Sequence, residues 1–107
     1  MIRHTVVFTL KHPHGSAEEA GFLRDAKIAL EHIPGVEKFE QLKQVSKKND
    51  YRFGFSMEFA DQKAYDSYDR HPRHVSFVQN RWHHEVASFL EIDYEPLYAL
   101  LERRLSE

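Results

Sequence analysis

Cysteine is absent from this chain of 107 residues, which excludes disulfide bonds, thiolate catalysis and metal sites built on cysteine. The absence also fits a reducing compartment. No apolar run approaches the ~20 residues that a membrane-spanning helix needs. No signal-peptide pattern precedes the first predicted strand. We therefore expect a soluble, cytoplasmic protein with no membrane partner.

An excess of one charge is also missing, since 15 Lys and Arg accompany 17 Asp and Glu, for a net charge of -2. A nucleic-acid-binding protein usually carries a basic stripe or patch. The densest basic spots here are Lys47-Lys48 and Arg103-Arg104. Both are too small for that role and are interpreted as solvated surface, so nucleic acid is not an expected partner.

Apolar and aromatic side chains are plentiful enough for one core. They make up 41% of the chain and include eight Phe and five Tyr, which predicts a single domain over residues 1–107. A chain of this size also gains from dimerisation, because a dimer buries further surface.

The first half of the chain predicts a strand, a helix and a second strand. Residues 2–11 alternate as a strand, with His4 as the polar exception on its apolar face. Ser16 and Glu19 form a capping-box pattern for a helix that runs to about residue 33, where Pro34-Gly35 ends it. Residues 36–45 predict a more polar strand, with helix as an alternative because their apolar residues do not alternate cleanly.

The second half predicts a strand, two helices, a strand and a tail. Residues 51–59 alternate most clearly of all. Asp61 is suited to cap a second helix to about residue 70, and Pro72 to open a third. Residues 89–94 predict the last strand, and a short amphipathic helix follows from about residue 97. The third helix is expected to carry one apolar stripe, made of Val75, Val78, Trp82 and Val86.

This order of elements is the split βαβ plan of a ferredoxin-like α+β domain. We expect one four-stranded antiparallel sheet with helices on one face. The other face must then be solvated or covered by a partner.

The chain resembles the stress-responsive α/β-barrel domain family, often called Dabb, from Met1 to about Tyr94. The resemblance rests on the opening Ile-Arg-His-Thr-Val-Val-Phe of residues 2–8 and on Tyr-Asp-Arg-His-Pro-Arg-His-Val of residues 68–75. The aromatic strand 51–59 and the end of residues 89–94 in an aspartate and an aromatic support it. It implies a homodimer whose open sheet faces meet as a barrel, with a small-molecule-binding or unassigned role.

Three polar residues match functional positions of that family. Its plant polyketide cyclases use a histidine in the first strand, a tyrosine before the His-Pro turn and the histidine after it, which correspond to His4, Tyr68 and His74. The resemblance thus implies a candidate catalytic pocket for a cofactor-independent, cyclase-like or isomerase-like enzyme. An imidazole with a pKa near ~6.5 can take a proton from a β-dicarbonyl compound, and a phenol can donate to the oxyanion.

A structural interpretation competes with catalysis. A buried histidine bonded to a buried tyrosine is a satisfied polar pair that fixes a helix against a sheet. An aromatic stripe at strand spacing is likewise typical of plain core. As a binding surface for a small apolar or aromatic ligand, the sequence offers Phe53, Phe55, Met57 and His71.

Two further hypotheses concern a metal site and a haem site. A metal site would use His71 and His74, with Asp66 or Asp69 nearby. Pro72 interrupts the helical spacing of the two histidines and no third ligand is obvious, so no metal site is expected. A haem-handling monooxygenase, with His74 recruited as the axial ligand, is a remoter alternative by fold analogy. No cofactor is expected otherwise. The adjacent histidines His83 and His84 are interpreted as surface residues.

Overall fold

The computed structural model describes residues 1–106, apart from the side chain of Ala99. Its elements are β1 (Ile2–Leu10), α1 (Ala17–Leu30), β2 (Glu37–Lys43), β3 (Phe53–Phe59), α2 (Gln62–Arg70), α3 (Pro72–Phe77), a π-helical turn (Val78–Trp82), α4 (His83–Glu85), β4 (Val86–Tyr94) and α5 (Leu97–Leu105). No helix in this part of the chain has the length and apolar character needed to cross a bilayer.

The four strands form one sheet in the order β2-β3-β1-β4, and every neighbouring pair is antiparallel. The helices pack on one face of it. This is the predicted ferredoxin-like α+β arrangement, in which β1 and β3 are central and β2 and β4 form the two edges.

The start of α1 follows the predicted capping pattern. The Ser16 hydroxyl accepts a hydrogen bond from the Glu19 backbone N–H, and the Glu19 carboxylate accepts one from the Gly15 N–H. Gly15 has a positive φ of 79°, a conformation that glycine adopts without strain. The first bond satisfies a donor that the helix itself leaves free. The second ties Glu19 to the residue before the cap, because the Ser16 N–H bonds to the Pro13 carbonyl.

Residues 36–45 form a strand rather than the alternative helix, and a bulge explains their irregular pattern. The pairing of β2 with β3 shifts register between Glu37 and Glu40, and Lys38 there has a φ of 50°. An extra residue in one strand resets which side chains share a face. Simple alternation therefore fails along this segment.

The predicted third helix is less regular and shorter than its apolar stripe suggested. Its middle is the π-helical turn, and the helical run ends at Glu85. Val86 is buried, but as the first residue of β4 rather than the last of a helical stripe. Val75 is largely exposed.

The core lies between the sheet and α1, α2 and α3. Phe8 is fully buried and touches aromatic rings from β3, α1 and the π-helical turn, with centroid distances of 4.8–6.0 Å. His4 is 5% exposed on the same face. The buried apolar residues are Ile2, Val6, Phe8, Phe22, Ala26, Leu30, Ile33, Phe55, Met57, Phe59, Tyr65, Tyr68, Phe77 and Val86.

The opposite sheet face carries apolar side chains that nothing in the described chain covers. Val7 pairs with Leu90, and Thr5 with Ile92, so that these side chains share this face. Leu90 is 47% exposed and Ile92 40% exposed. We call this surface the open sheet face.

Candidate functional site

A cavity of about 220 Å³ lies between the sheet and the helices that follow β3. It extends to the edge strand β4, whose exposed residues Phe89 and Glu91 belong to its lining. Most of its wall is apolar or aromatic, which is typical of small-molecule sites. The lining residues are His4, Val6, Leu30, Phe55, Met57, Tyr68, His74, Phe77, Val78, Trp82, His83, Phe89 and Glu91.

His4 is held in the cavity wall by a carboxylate on the neighbouring strand. The register of β1 with β4 places His4 opposite Asp93, and the His4 Nδ1 lies 2.5 Å from Asp93 Oδ1. Because a carboxylate only accepts hydrogen bonds, Nδ1 carries the proton and donates it. In the neutral ring Nε2 then has a free lone pair and can act as a base.

Tyr65 of α2 completes this arrangement. Its hydroxyl donates to Asp93 Oδ2 at 2.9 Å and also lies 2.9 Å from His4 Nδ1. Burial and the hydrogen bond to Asp93 raise the pKa of the Tyr65 phenol far above its ordinary value. The phenol therefore stays protonated and orients the carboxylate that orients His4.

Tyr68 presents its hydroxyl to the same space. Its side chain is 2% exposed, and its ring centroid lies 6.3 Å from that of His4. Burial raises its pKa well above the ordinary 10. Within residues 1–106 its hydroxyl makes no hydrogen bond. Because no fully buried side-chain polar atom there lacks a partner, this hydroxyl is not sealed in the core but reaches open space. A protonated phenol that borders a cavity is a donor for a ligand oxygen.

His74 lies beside Tyr68, with ring centroids 4.5 Å apart and the ring planes tilted by 47°. Its Nδ1 lies 3.0 Å from the backbone carbonyl of Asp69, which accepts the Nδ1 proton. The second nitrogen, Nε2, is therefore left as a lone pair in the neutral ring. His74 lies in the first turn of α3, which Pro72 opens because its fixed φ suits the first helical position.

The structure thus brings the three predicted catalytic candidates, His4, Tyr68 and His74, to one cavity. Two of the predicted binding residues, Phe55 and Met57, also line it. Phe53 instead packs on Phe8, with ring centroids 5.9 Å apart. His71 caps α3, where its Nδ1 accepts from the Arg73 N–H. Neither is among the lining residues.

Sequence reasoning did not find Tyr65, Asp93 or Glu91. Asp93 and Glu91 alternate with the apolar residues of β4, which is a signal for one polar face. Which residue of β1 each one meets depends on strand register, and the sequence does not give it. The tyrosine bonded to the buried histidine is Tyr65 rather than Tyr68.

Metal ligands do not gather at the site. Among residues 1–106, no group of three or more His, Asp or Glu side chains is arranged to hold a metal ion.

The fold and the site define a ferredoxin-like α+β protein with a mainly apolar cavity and a carboxylate-bound histidine in its wall. The chain belongs to the Stress responsive A/B Barrel Domain family, Dabb, whose sequence model matches residues 2–96. This confirms the family predicted from residues 2–8 and 68–75. No curated protein matches this chain in sequence.

Solved structures agree with this family. A Dabb family protein with a ferredoxin-like fold from Mesorhizobium loti is 65% identical, with a TM-score of 0.88 over 89% of this chain and 95% of that chain. A protein from Arabidopsis thaliana is 23% identical, with a TM-score of 0.77 over 90% and 95%. A dimeric protein of unknown function from Bacteroides fragilis is 22% identical, with a TM-score of 0.70 over 89% and 95%. The last two show the shared fold alone.

Proposed function

We propose that this protein is a homodimeric barrel that binds a small carbonyl compound in its cavity and catalyses proton transfer on it. The observation that carries the proposal is the buried His4 imidazole. Asp93 holds its Nδ1, and the ring lines the same cavity as the Tyr68 hydroxyl and His74. A base, a group that orients it and a donor for an oxyanion are the parts that enolisation requires.

The chemistry follows from these positions. His4 Nε2 takes the proton from the carbon next to the carbonyl, the C–H bond breaks, and its electron pair moves to the carbonyl oxygen as an enolate. Tyr68 donates a hydrogen bond to that oxygen. Asp93 stabilises the imidazolium, which returns the proton to carbon in an isomerase-like reaction. In a longer substrate, the enolate carbon forms a bond to a second carbonyl carbon instead. The π pair of that carbonyl moves to its oxygen, which takes the proton from the His4 imidazolium, and this is the cyclase-like alternative.

The cavity limits the size of the substrate. An apolar cavity of ~150 Å³ holds a benzene molecule, and this one measures about 220 Å³. One ring with small substituents, or a short chain with two carbonyl groups, fits that volume. Phe55, Met57, Phe77 and Trp82 supply apolar contacts for it.

The open sheet face supports the homodimer. Antiparallel sheets tolerate one solvated face, but side chains such as Leu90, Ile92 and Tyr94 there favour cover by a partner. The Bacteroides fragilis relative is a dimer with the same fold. We propose that two copies of this chain meet through these faces, as the barrel architecture requires.

Hydrogen–deuterium exchange tests the catalytic proposal. Small ketones and β-keto esters are incubated in D₂O, and loss of the proton next to the carbonyl is followed by NMR. His4→Gln should slow the exchange by ~10²–10⁴-fold, the usual contribution of a placed base. His32→Gln, at a side chain 80% exposed, is the matched control and should exchange at the wild-type rate.

Two results would speak against this function. Equal exchange by wild type and His4→Gln would remove His4 as the base. A ligand that raises the melting temperature without any protein-dependent exchange would leave a binding protein without catalysis.

A further inference from the structure

We propose that Glu91 makes the cavity selective for ligand charge, so that uncharged and amine-bearing carbonyl compounds bind and carboxylates are rejected. This inference rests on the small-molecule cavity proposed above and names the class of substrate that it takes. It concerns a residue to which neither the sequence patterns nor the family resemblance assigned a role.

The charges in the cavity wall are unbalanced. Glu91 is the one carboxylate among its lining residues, and the lining contains no Lys or Arg. The other titratable residues of the lining are His4, Tyr68, His74 and His83. With the imidazoles neutral, the wall has a net negative charge.

Glu91 lies beside the proposed base. It follows Leu90 on β4, pairs with Val6 of β1 and faces the helices, and its Oε1 lies 4.0 Å from His4 Nε2. A ligand whose reacting carbon meets Nε2 must therefore come close to this carboxylate. Asp93, on the other nitrogen of the same ring, adds a second negative charge nearby.

Within residues 1–106, no Lys or Arg lines the cavity to offset these charges. Arg81 adjoins the cavity residue Trp82, but its guanidinium bonds to Asp25 Oδ2 at 2.6 Å and to Glu85 Oε2 at 2.5 Å. Held by two carboxylates away from the wall, it is not among the lining residues. An anionic ligand would thus lose hydration without gaining a cationic partner.

The part of the cavity wall around Glu91 suits a cation. Trp82 and Phe89 lie edge to face, with centroids 5.6 Å apart, and both line the cavity with Glu91. An ammonium group is attracted by a carboxylate and by the faces of aromatic rings. An amine-bearing ligand therefore gains where a carboxylate loses.

Fluorescence gives a direct test because Trp82 is the single tryptophan of the chain and lines the cavity. Benzylammonium, benzyl alcohol and benzoate serve as ring probes that differ in charge. Each is titrated at low salt and about pH 8, above the ordinary imidazole pKa of ~6.5. Glu91→Gln is compared with Glu102→Gln, which makes the same charge change on exposed α5.

Wild type and Glu102→Gln should bind benzylammonium about fivefold tighter, and benzoate about fivefold weaker, than benzyl alcohol. This is the effect of one charge at about 4 Å in a watery setting. In Glu91→Gln the gap between the benzylammonium and benzoate affinities should narrow by about fivefold or more. Any preference that remains is due to Asp93 and the aromatic rings.

The outcomes separate the two proposals. If benzyl alcohol binds but the probes show no charge preference, or if Glu91→Gln keeps the wild-type preference, charge selection by Glu91 is overturned and the cavity stands. If no probe changes Trp82 fluorescence in any variant, the ligand cavity itself is overturned, and charge selection with it.

Discussion

His4 Nδ1 lies 2.5 Å from the Oδ1 of Asp93, although 89 positions of the sequence separate the two residues. Only the antiparallel pairing of β1 with β4, the first and last strands along the chain, brings them together. This bond fixes which nitrogen of His4 carries the proton, and in the proposed mechanism the other nitrogen is the base. The proposed function thus depends on the register of an edge strand as well as on the residues themselves.

Replacing the carboxylate by an amide tests this relationship. In Asp93→Asn the amide group can donate to Nδ1, which moves the ring proton to Nε2 and removes the base. We expect carbonyl-exchange activity to fall at least about tenfold, with cavity binding retained. Nitrogen NMR of the His4 ring reports the tautomer, and Glu95→Gln is the control. Wild-type activity and an unchanged tautomer in Asp93→Asn would contradict the assignment.

Removal of the hydroxyl group should have different effects on stability at Tyr65 and at Tyr68. Tyr65→Phe removes the donor to Asp93 Oδ2, so we expect it to reduce the free energy of unfolding by ~1–2 kcal/mol. Tyr68→Phe removes a hydroxyl that bonds to no side chain or backbone atom of the described chain, so stability should change by less than ~0.5 kcal/mol. Denaturant unfolding measures both.

The exchange activity of the two variants should show the opposite order, with the larger loss in Tyr68→Phe. Loss of an oxyanion donor lowers turnover by up to ~10²–10³-fold, so Tyr68→Phe should lose exchange activity at nearly unchanged stability. A Tyr68→Phe variant that unfolds easily but exchanges at the wild-type rate would make Tyr68 a packing residue.

The alkaline limit of stability follows from the same phenols. Burial raises the pKa of both Tyr65 and Tyr68 above the ordinary 10. Their contribution to folding is therefore fully present below pH 10 and is lost as the pH rises beyond it, because the unfolded chain ionises first. The double variant Tyr65→Phe/Tyr68→Phe should flatten the alkaline decline of melting temperature. A decline equally steep in wild type and double variant would place its cause elsewhere.

Local patterns were sufficient to predict most of the fold, whereas the family resemblance suggested the three site candidates. The alternation of residues 2–11 placed His4 on the apolar face of β1, and the resemblance added Tyr68 and His74, which line the same cavity. Asp93 and Tyr65 were not predicted as site residues, because their contacts depend on strand register and helix docking, which are tertiary properties. The bulge near Lys38 and the π-helical turn escaped because a single inserted residue leaves no periodic signal.

A charge on the open sheet face should dissociate the proposed homodimer. Ile92→Lys places an ammonium in an apolar interface, where burial without a partner is unfavourable, so we expect monomers at micromolar concentration. Ile28→Lys is the matched control, because Ile28 is 67% exposed on α1, on the other side of the sheet. Light scattering measures the mass of each variant. Dimers of Ile92→Lys alongside monomers of Ile28→Lys would move the interface to the helices.

The acid limit of stability should depend on Arg81. Its guanidinium bonds to Asp25 and Glu85 and lowers the pKa of both carboxyl groups below their ordinary values of 3.8 and 4.5. Because these values are lowered, the stabilisation is present above the ordinary pKa and is lost as the pH falls through the folded one. Arg81 also lies over the Phe22 ring, with Cζ 5.8 Å from the centroid.

Arg81→Gln should therefore lower the melting temperature at neutral pH by about 4–8 °C and flatten its fall between about pH 5 and pH 3. Arg24→Gln makes the same charge change at a side chain that is 72% exposed and meets Asp25 at 3.4 Å, so it should shift both quantities much less. Calorimetry across this pH range gives both values. Equal shifts in the two variants would mean that net charge, rather than the bonds of Arg81 to α1 and α4, sets the acid limit.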